Sequence, residues 1–321
     1  MKAGKRLGNK EKLAVIVGPT AVGKTKVSVD VAKKLRGEII SGDSMQIYRG
    51  MDIGTAKIKK EEMQGIPHHL IDIKDPEESF SVAEFQRIVR EKISEISRRG
   101  RLPMIVGGTG LYIQSVLYDY RFTGKGNTGR LRKELQERLR REGTEKLYRE
   151  LSGIDPDSAI KIHPNDGRRI IRALEIYYST GVTMTEHLRK QRNELRYDAA
   201  IVGLTMDRER LYRRIDERVD RMIEAGLLEE ARRFYDRGLR GCQSIQAIGY
   251  KELYAYFDGT LSLAEAIALL KKNTRNYAKR QYTWFKNKMD VQWFDVEAYP
   301  YGVLIEKITE HIAGKLKISA K

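Results

Sequence analysis

The sequence predicts an α/β fold: a doubly wound parallel sheet interrupted by an all-helical domain. Three observations predict it. Short apolar runs that read as buried strands alternate with segments of helical periodicity. A glycine-containing turn, Gly18-Pro19-Thr20-Ala21-Val22-Gly23-Lys24-Thr25, joins the first such run to the first such helix. From Phe122 to Arg196 the strand signals vanish and charged helical segments replace them, until a strand pattern returns at Ala199. The expected organisation is a core of residues 1–121 and 197–321 with a helical insertion at 122–196.

Residues 13–17 form the first apolar run, and Val27, Val31 and Leu35 recur at helical spacing after it. The turn between them fits G-x-x-x-x-G-K-[ST], the P-loop pattern, in which backbone N–H groups and a helix N-terminus face an anion. Lys24 supplies a point charge and the Thr25 hydroxyl is placed to hold Mg²⁺. The pattern calls for a polyphosphate without saying that it is ATP. Residues 38–41 are a second strand and 102–106 a third. Between them Ser81-Val-Ala-Glu84 reads as a capping box opening a helix to about Arg99. In such sheets ligands sit beyond the C-terminal strand ends. Asp43 and Thr109, each just after a strand, are therefore expected to face the loop; the alternative is ordinary turn chemistry.

Residues 123–129 read as a loose linker into the insertion. Asn165 or Asp166 is placed to cap the helix that carries Arg168 and Arg172, which are four apart on one face. Residues 208–237 read as one helical stretch, and a second capping box, Ser262 to Glu265, opens another that continues to Lys288. Residues 271–288 hold seven basic side chains and no acid, interleaved with Tyr277, Tyr282, Trp284 and Phe285. The aromatics are expected to face the core and the bases to face RNA.

Lys and Arg number 61 against 44 Asp and Glu, a net charge of +17 that favours a polyanionic partner. No apolar run approaches the ~20 residues of a membrane span. The basic first twelve residues lack the apolar core of a signal peptide. The one cysteine, Cys242, excludes an internal disulfide and a cysteine-rich metal site. A cytoplasmic protein is expected.

A nucleotide-hydrolysing P-loop protein normally places a second acid at a buried strand end to hold Mg²⁺. After 102–106 this chain has Gly107, Gly108 and Thr109, which argues against a motor or switch ATPase. Asp43 remains, suited to orient an acceptor hydroxyl or to take a proton from an attacking amine. At this point the residues match a family. The chain resembles the tRNA dimethylallyltransferases, also called tRNA isopentenyltransferases. The resemblance rests on GPTAVGKT, DSMQIY, MDIGTAK (51–57), PHHLIDI (67–73), GGTGLY, HPNDGRRIIRALE, IQAIGYKE (245–252) and AKRQYTWF (278–285), in family order over almost the whole chain.

The resemblance implies transfer of a five-carbon prenyl group from dimethylallyl diphosphate to N6 of the adenosine just 3′ of the tRNA anticodon, with diphosphate leaving. The loop, Gly18 to Thr25, would then cradle diphosphate together with Arg218. Asp43 would be the general base, with Thr109 positioning the base or the reacting amine. The tRNA contacts implied are Asp43, Ser44, Met45, Gln46, Thr109, Arg132, Arg168, Arg169, Ile170, Ile171, Arg172, Gln246, Ala247, Ile248, Gly249, Tyr250 and Lys251. Core and insertion would clasp the anticodon stem-loop, with Mg²⁺ as cofactor and the protein a monomer. Two other readings share the motif: a small-molecule or nucleotide kinase, and a non-catalytic RNA-binding protein with a structural anion site.

Overall fold

The computed structural model describes residues 10–122, 128–191 and 194–319. Six parallel strands build its sheet: β1 (Lys12–Val17), β2 (Gly37–Ser41), β3 (His68–His69), β4 (Leu102–Gly107), β5 (Asp198–Thr205) and β6 (Gln292–Asp295). Their order is β3-β2-β4-β1-β5-β6. The central strand β1 pairs with β4 and β5, and Leu13 to Val17 are wholly buried. Burial on both faces explains a continuous apolar run where a half-exposed strand would alternate. Val17 lies level with Gly107 and Gly203, and Ser41 with Val106. The turns after β1, β2 and β4 therefore leave the same edge of the sheet.

One face is covered by the helices Lys24–Leu35 and Tyr301–Leu316. Their Val27, Val31, Leu35, Leu304, Ile308 and Ile312 share a core with Ala14, Ile16, Met104 and Val202. The side chains of Leu13, Val15, Ile40 and Ile105 alternate to the other face, where Val82–Arg98 packs on β2 and β4 with Phe85, Val89, Ile93 and Ile96 buried.

The Ser81 capping box is only half formed. Ser81 Oγ accepts the Glu84 N–H at 3.1 Å, but the Glu84 carboxylate pairs with Lys74 at 3.2 Å. The Ser262 box is complete: Ser262 accepts from Glu265 N–H, and Glu265 accepts from Ser262 N–H at 2.7 Å. The stretch expected as one helix over 208–237 is two, Arg208–Glu224 and Leu227–Asp236, because Gly226 adopts φ +98° between them. Strands β3 and β6 and the helices Gly110–Leu117, Tyr250–Phe257 and Tyr301–Leu316 were not expected.

Tyr118–Glu194 is a compact unit in its own right; Met1–Leu117 with Leu195–Lys321 is the other. Of the expected linker, 123–127 lie outside the described residues, while Thr128 and Gly129 begin the helix Thr128–Ile154, kinked at Gly143. Leu135, Leu147, Leu151, Ile162, Ile170, Ile171 and Leu174 form this unit's core. The buried Asp155 accepts hydrogen bonds from the N–H groups of Ser158 (3.1 Å) and Thr185 (2.9 Å) and from the Thr185 hydroxyl (2.6 Å). Asp166, not Asn165, caps the helix Gly167–Thr180 by accepting the Arg169 N–H at 3.1 Å. Among the described residues no helix is long and apolar enough to cross a membrane.

Candidate active site

The turn after β1 is shaped by its glycines. Gly23 adopts φ +102°, which lets the chain enter the helix Lys24–Leu35, and a Cβ on Gly18 would stand 2.7 Å from the Leu204 carbonyl oxygen. Val22 packs its side chain into the core, so this position contributes more than its backbone. Lys24 Nζ donates to the carbonyls of Gly18 (2.9 Å) and Pro19 (2.7 Å). Its pKa is lowered to about 7, mainly by burial and then by the nearby Arg218, with Asp43 partly opposing. Burial also lowers Arg218, against the attraction of Asp43.

The turn after β2 carries Asp43. Its Oδ1 accepts the Met45 N–H at 2.8 Å, and Thr109 Oγ1 accepts the Ser44 N–H at 3.1 Å. Asp43 thus closes an Asx turn and still faces the loop; the two expectations for it hold together. The turn after β4 is tied in from afar. Gln281, buried on the helix Leu263–Lys288, accepts the Thr20 N–H at 2.8 Å and donates to the Gly108 carbonyl at 3.0 Å. Its amide nitrogen would stand 2.0 Å from a Cβ on Gly108, so a side chain there would have to displace the Gln281 amide.

Two cavities open at this sheet edge. The first, about 250 Å³, is lined by Thr20, Ala21, Gly23, Lys24, Thr25, Asp43, Gln46 and Arg218, with His68, Arg214 and Arg221 around them. The second, about 300 Å³, is lined by Ser44, Met45, Gln246, Ala247, Ile248, Gly249, Lys251 and Arg280. Thr20, Asp43, Thr55, Arg218 and Tyr277 line both. A carboxylate flanked by two cations stands where the cavities meet.

Several expected contacts lie elsewhere. Tyr250 is wholly buried, its hydroxyl donating to Glu230 at 2.6 Å. Ile170 and Ile171 are core residues of the helical unit, not surface ones. Arg172 pairs with the buried Glu175 at 2.8 Å, whereas Arg132, Arg168 and Arg169 are exposed. Thr109 sits behind Ser44, within reach of the Tyr277 hydroxyl. In 271–288, Lys271 and Arg275 are held by Asp220 and Asp216 of the helix Arg208–Glu224, narrowing the free basic face. Phe285 is buried as expected, but Tyr277 turns into the cavities. In the sequence Arg280 and Gln281 fall within 278–285 and His68 within 67–73 with no site role given to any of them, Tyr277 is expected in the core, and Glu230 carries no signal. Tyr277 and Gln281 are four apart, a helical spacing that puts both on one face, and Gln281 also lies in the motif at 278–285.

Among the described residues no group of three or more His, Cys, Asp or Glu could hold a metal. Asp43 is the one carboxylate lining the first cavity among the described residues, and Thr25 is one of several hydroxyls there. That sparse set suits a hard cation that keeps water and takes substrate phosphate oxygens as ligands.

Sheet, loop and paired cavities define a P-loop α/β protein. The family described as IPP transferase matches residues 46–288. A tRNA dimethylallyltransferase of Geobacillus kaustophilus is 61% identical, covering 97% of this chain and 99% of that protein. Among solved structures, the tRNA isopentenylpyrophosphate transferase of Bacillus halodurans aligns with a TM-score of 0.74 at 55% identity, covering 96% of this chain and 97% of that one. A eukaryotic dimethylallyltransferase described as acting on tRNA aligns at 0.80 with 32% identity, covering 97% and 81%. The chain belongs to the IPP transferase family of prenyl-transferring enzymes.

Proposed function

We propose that the protein transfers the dimethylallyl group of dimethylallyl diphosphate to N6 of the adenosine 3′ of the anticodon in tRNA. The observation that carries this reading is the meeting of two cavities at Asp43, one on the phosphate loop and one on residues 246–249 and Lys251. A two-substrate transfer needs a donor and an acceptor chamber sharing one reactive wall. Relatives named for this transfer support it, as does the absence of a carboxylate at Gly107-Gly108-Thr109, where a nucleotide hydrolase would want one.

The donor diphosphate lies on the amides of Gly18 to Thr25, with Lys24 and Arg218 against its oxygens. As the C1–O bond breaks, its electron pair passes to the diphosphate, and the two cations stabilise the charge that builds there. The N6 lone pair forms the new C–N bond at C1. The N6 proton passes to Asp43, which later releases it to water. Thr109 keeps the Asp43 turn in place through Ser44. Thr25 would hold Mg²⁺ beside diphosphate oxygens and water, and a metal bound there supplies further positive charge to the leaving group. The adenine leaves its stack to enter the second cavity, with Ser44, Met45, Gln246, Ala247, Ile248, Gly249 and Lys251 around it. Arg132, Arg168 and Arg169 contact RNA phosphates. The enzyme works as a monomer in the cytoplasm, and the helical segment 122–196 serves as its RNA-binding domain.

The test is to incubate the protein with labelled dimethylallyl diphosphate, Mg²⁺ and unmodified tRNA. Label should appear in the RNA at the adenosine 3′ of the anticodon. RNA without label, or RNA-stimulated ATP hydrolysis, would sink the reading.

A further inference from the structure

Behind the wall shared by the two cavities lies a carboxylate that takes no part in the transfer steps. Glu230, 1% exposed, stands on the helix Leu227–Asp236. Its Oε2 accepts the N–H groups of Asp52 and Ile53, each at 2.9 Å. Its Oε1 accepts the Gly54 N–H at 2.9 Å and the Tyr250 hydroxyl at 2.6 Å. Three successive amides converge on one carboxylate, the geometry of a backbone anion nest, here filled from within the chain. The Tyr250 ring closes over the same point: a Cβ on Gly54 would stand 2.6 Å from it.

The held segment forms cavity wall. Gly54 and Thr55 line the second cavity, Thr55 and Ala56 the first. Gln46, three residues after Asp43, also holds the segment: its Nε2 donates to the carbonyls of Thr55 (3.3 Å) and Ala56 (3.4 Å). A hydrogen-bonded path thus runs from Glu230 through residues 52–56 to the turn that carries Asp43.

We infer that Glu230 is a positioning residue for the transfer: its carboxylate, braced by Tyr250, sets the wall against which donor and acceptor meet. The inference rests on the prenyl-transfer reading. The position needs a carboxylate specifically. Glutamine would aim an N–H₂ group at N–H donors and leave part of the nest unpaired. The step affected is alignment of N6, C1 and Asp43, not binding of diphosphate by the loop.

The experiment uses the full-length protein as Glu230→Gln, Glu230→Asp and Tyr250→Phe. Thermal unfolding is measured for each, then kcat and KM for dimethylallyl diphosphate and for tRNA, well below the lowest melting point. In folded Glu230→Gln, kcat should fall about 10²-fold, the cost of roughly an ångström of misalignment. Tyr250→Phe, without one hydrogen bond, should lose up to about tenfold. Glu230→Asp should recover part of the loss because it restores the acceptors. A folded Glu230→Gln with wild-type kcat and KM overturns the inference and leaves Glu230 a packing residue. If Glu230→Gln does not fold, Tyr250→Phe decides: wild-type kinetics overturn the inference, a clear kcat loss supports it. A wild-type protein that labels no tRNA sinks the transfer reading and this inference together; a working wild type with unaffected variants sinks only this one.

Discussion

Lys24 is uncomfortable in the free protein, and that discomfort is measurable. Its pKa is lowered from 10.5 to about 7, first by burial and then by Arg218. Each pH unit between folded and unfolded values is worth about 1.4 kcal/mol, so holding this lysine in place at pH 7 costs roughly 4 kcal/mol. Lys24→Met removes that cost. It also removes the hydrogen bonds to Gly18 and Pro19, at about 1 kcal/mol each. The net expectation is a gain of roughly 2 kcal/mol and a melting point a few degrees higher. The sign follows from the depressed value: the cost is complete below pH 7 and fades as pH climbs toward 10.5. Wild-type stability should therefore rise with pH across that window relative to Lys24→Met. The donor diphosphate supplies the missing anion, so its binding at pH 8 should draw in a proton, and its affinity should fall up to about tenfold per pH unit above that. Scanning calorimetry of both proteins, and titration in two buffers of different ionisation enthalpy, measure these effects. A Lys24→Met protein that melts below wild type at pH 7, with donor binding that takes up no proton, would refute the reasoning.

Three further expectations concern other residues. Asp43→Asn keeps the Asx-turn acceptor and loses basicity, so kcat should drop ~10²–10⁴-fold while donor affinity, by calorimetry, holds. Replacing the exposed Arg168 and Arg169 with alanine should lower the slope of log tRNA affinity against log salt by about one for each RNA phosphate no longer neutralised; Arg172, bound to Glu175, should contribute less. Burial alone would raise the Asp155 pKa, but the bonds from Thr185 and Ser158 outweigh it and hold the carboxyl low. Its stabilisation is therefore present above the ordinary carboxylate value and disappears as pH falls through the lowered one. Asp155→Asn should cost ~1–3 kcal/mol at neutral pH in urea unfolding, and less in acid.

The sequence was most readable where structure is local. Strand β1, its loop and the helix after it are contiguous, and each carries its own periodicity or turn signal. The edge strands are too short to show any period: β3 has two residues and β6 four. The break at Gly226 was open to reading, since a glycine inside a helical pattern often marks a left-handed residue, but the amphipathic pattern runs on through both halves. The site shows the same division. Lys24 and Asp43 sit in motifs and Arg218 came with the resemblance, whereas the bond of Gln281 to Thr20 spans 261 positions and that of Glu230 to Gly54 spans 176. Nothing in a single sequence pairs residues that far apart. The resemblance located the motif carrying Tyr250, but burial, which decides whether that side chain meets RNA or packing, is a property of the folded chain.

The helix Leu263–Lys288 contributes Leu270, Thr274 and Tyr277 to the second cavity and Gln281 to the phosphate-loop tie. Those four positions fall at intervals of four, three and four, a single stripe along one rod. An α-helix turns 100° per residue. Losing or gaining one residue between 270 and 281 would swing part of that stripe away while leaving composition almost unchanged. Natural variation in chain length should therefore be filtered severely within this rod. The surface turn at Asp258–Leu261, just before it, lines neither cavity and is free to lengthen. Among descendants of this chain the spacing of the stripe should outlast the identity of most of its exposed neighbours.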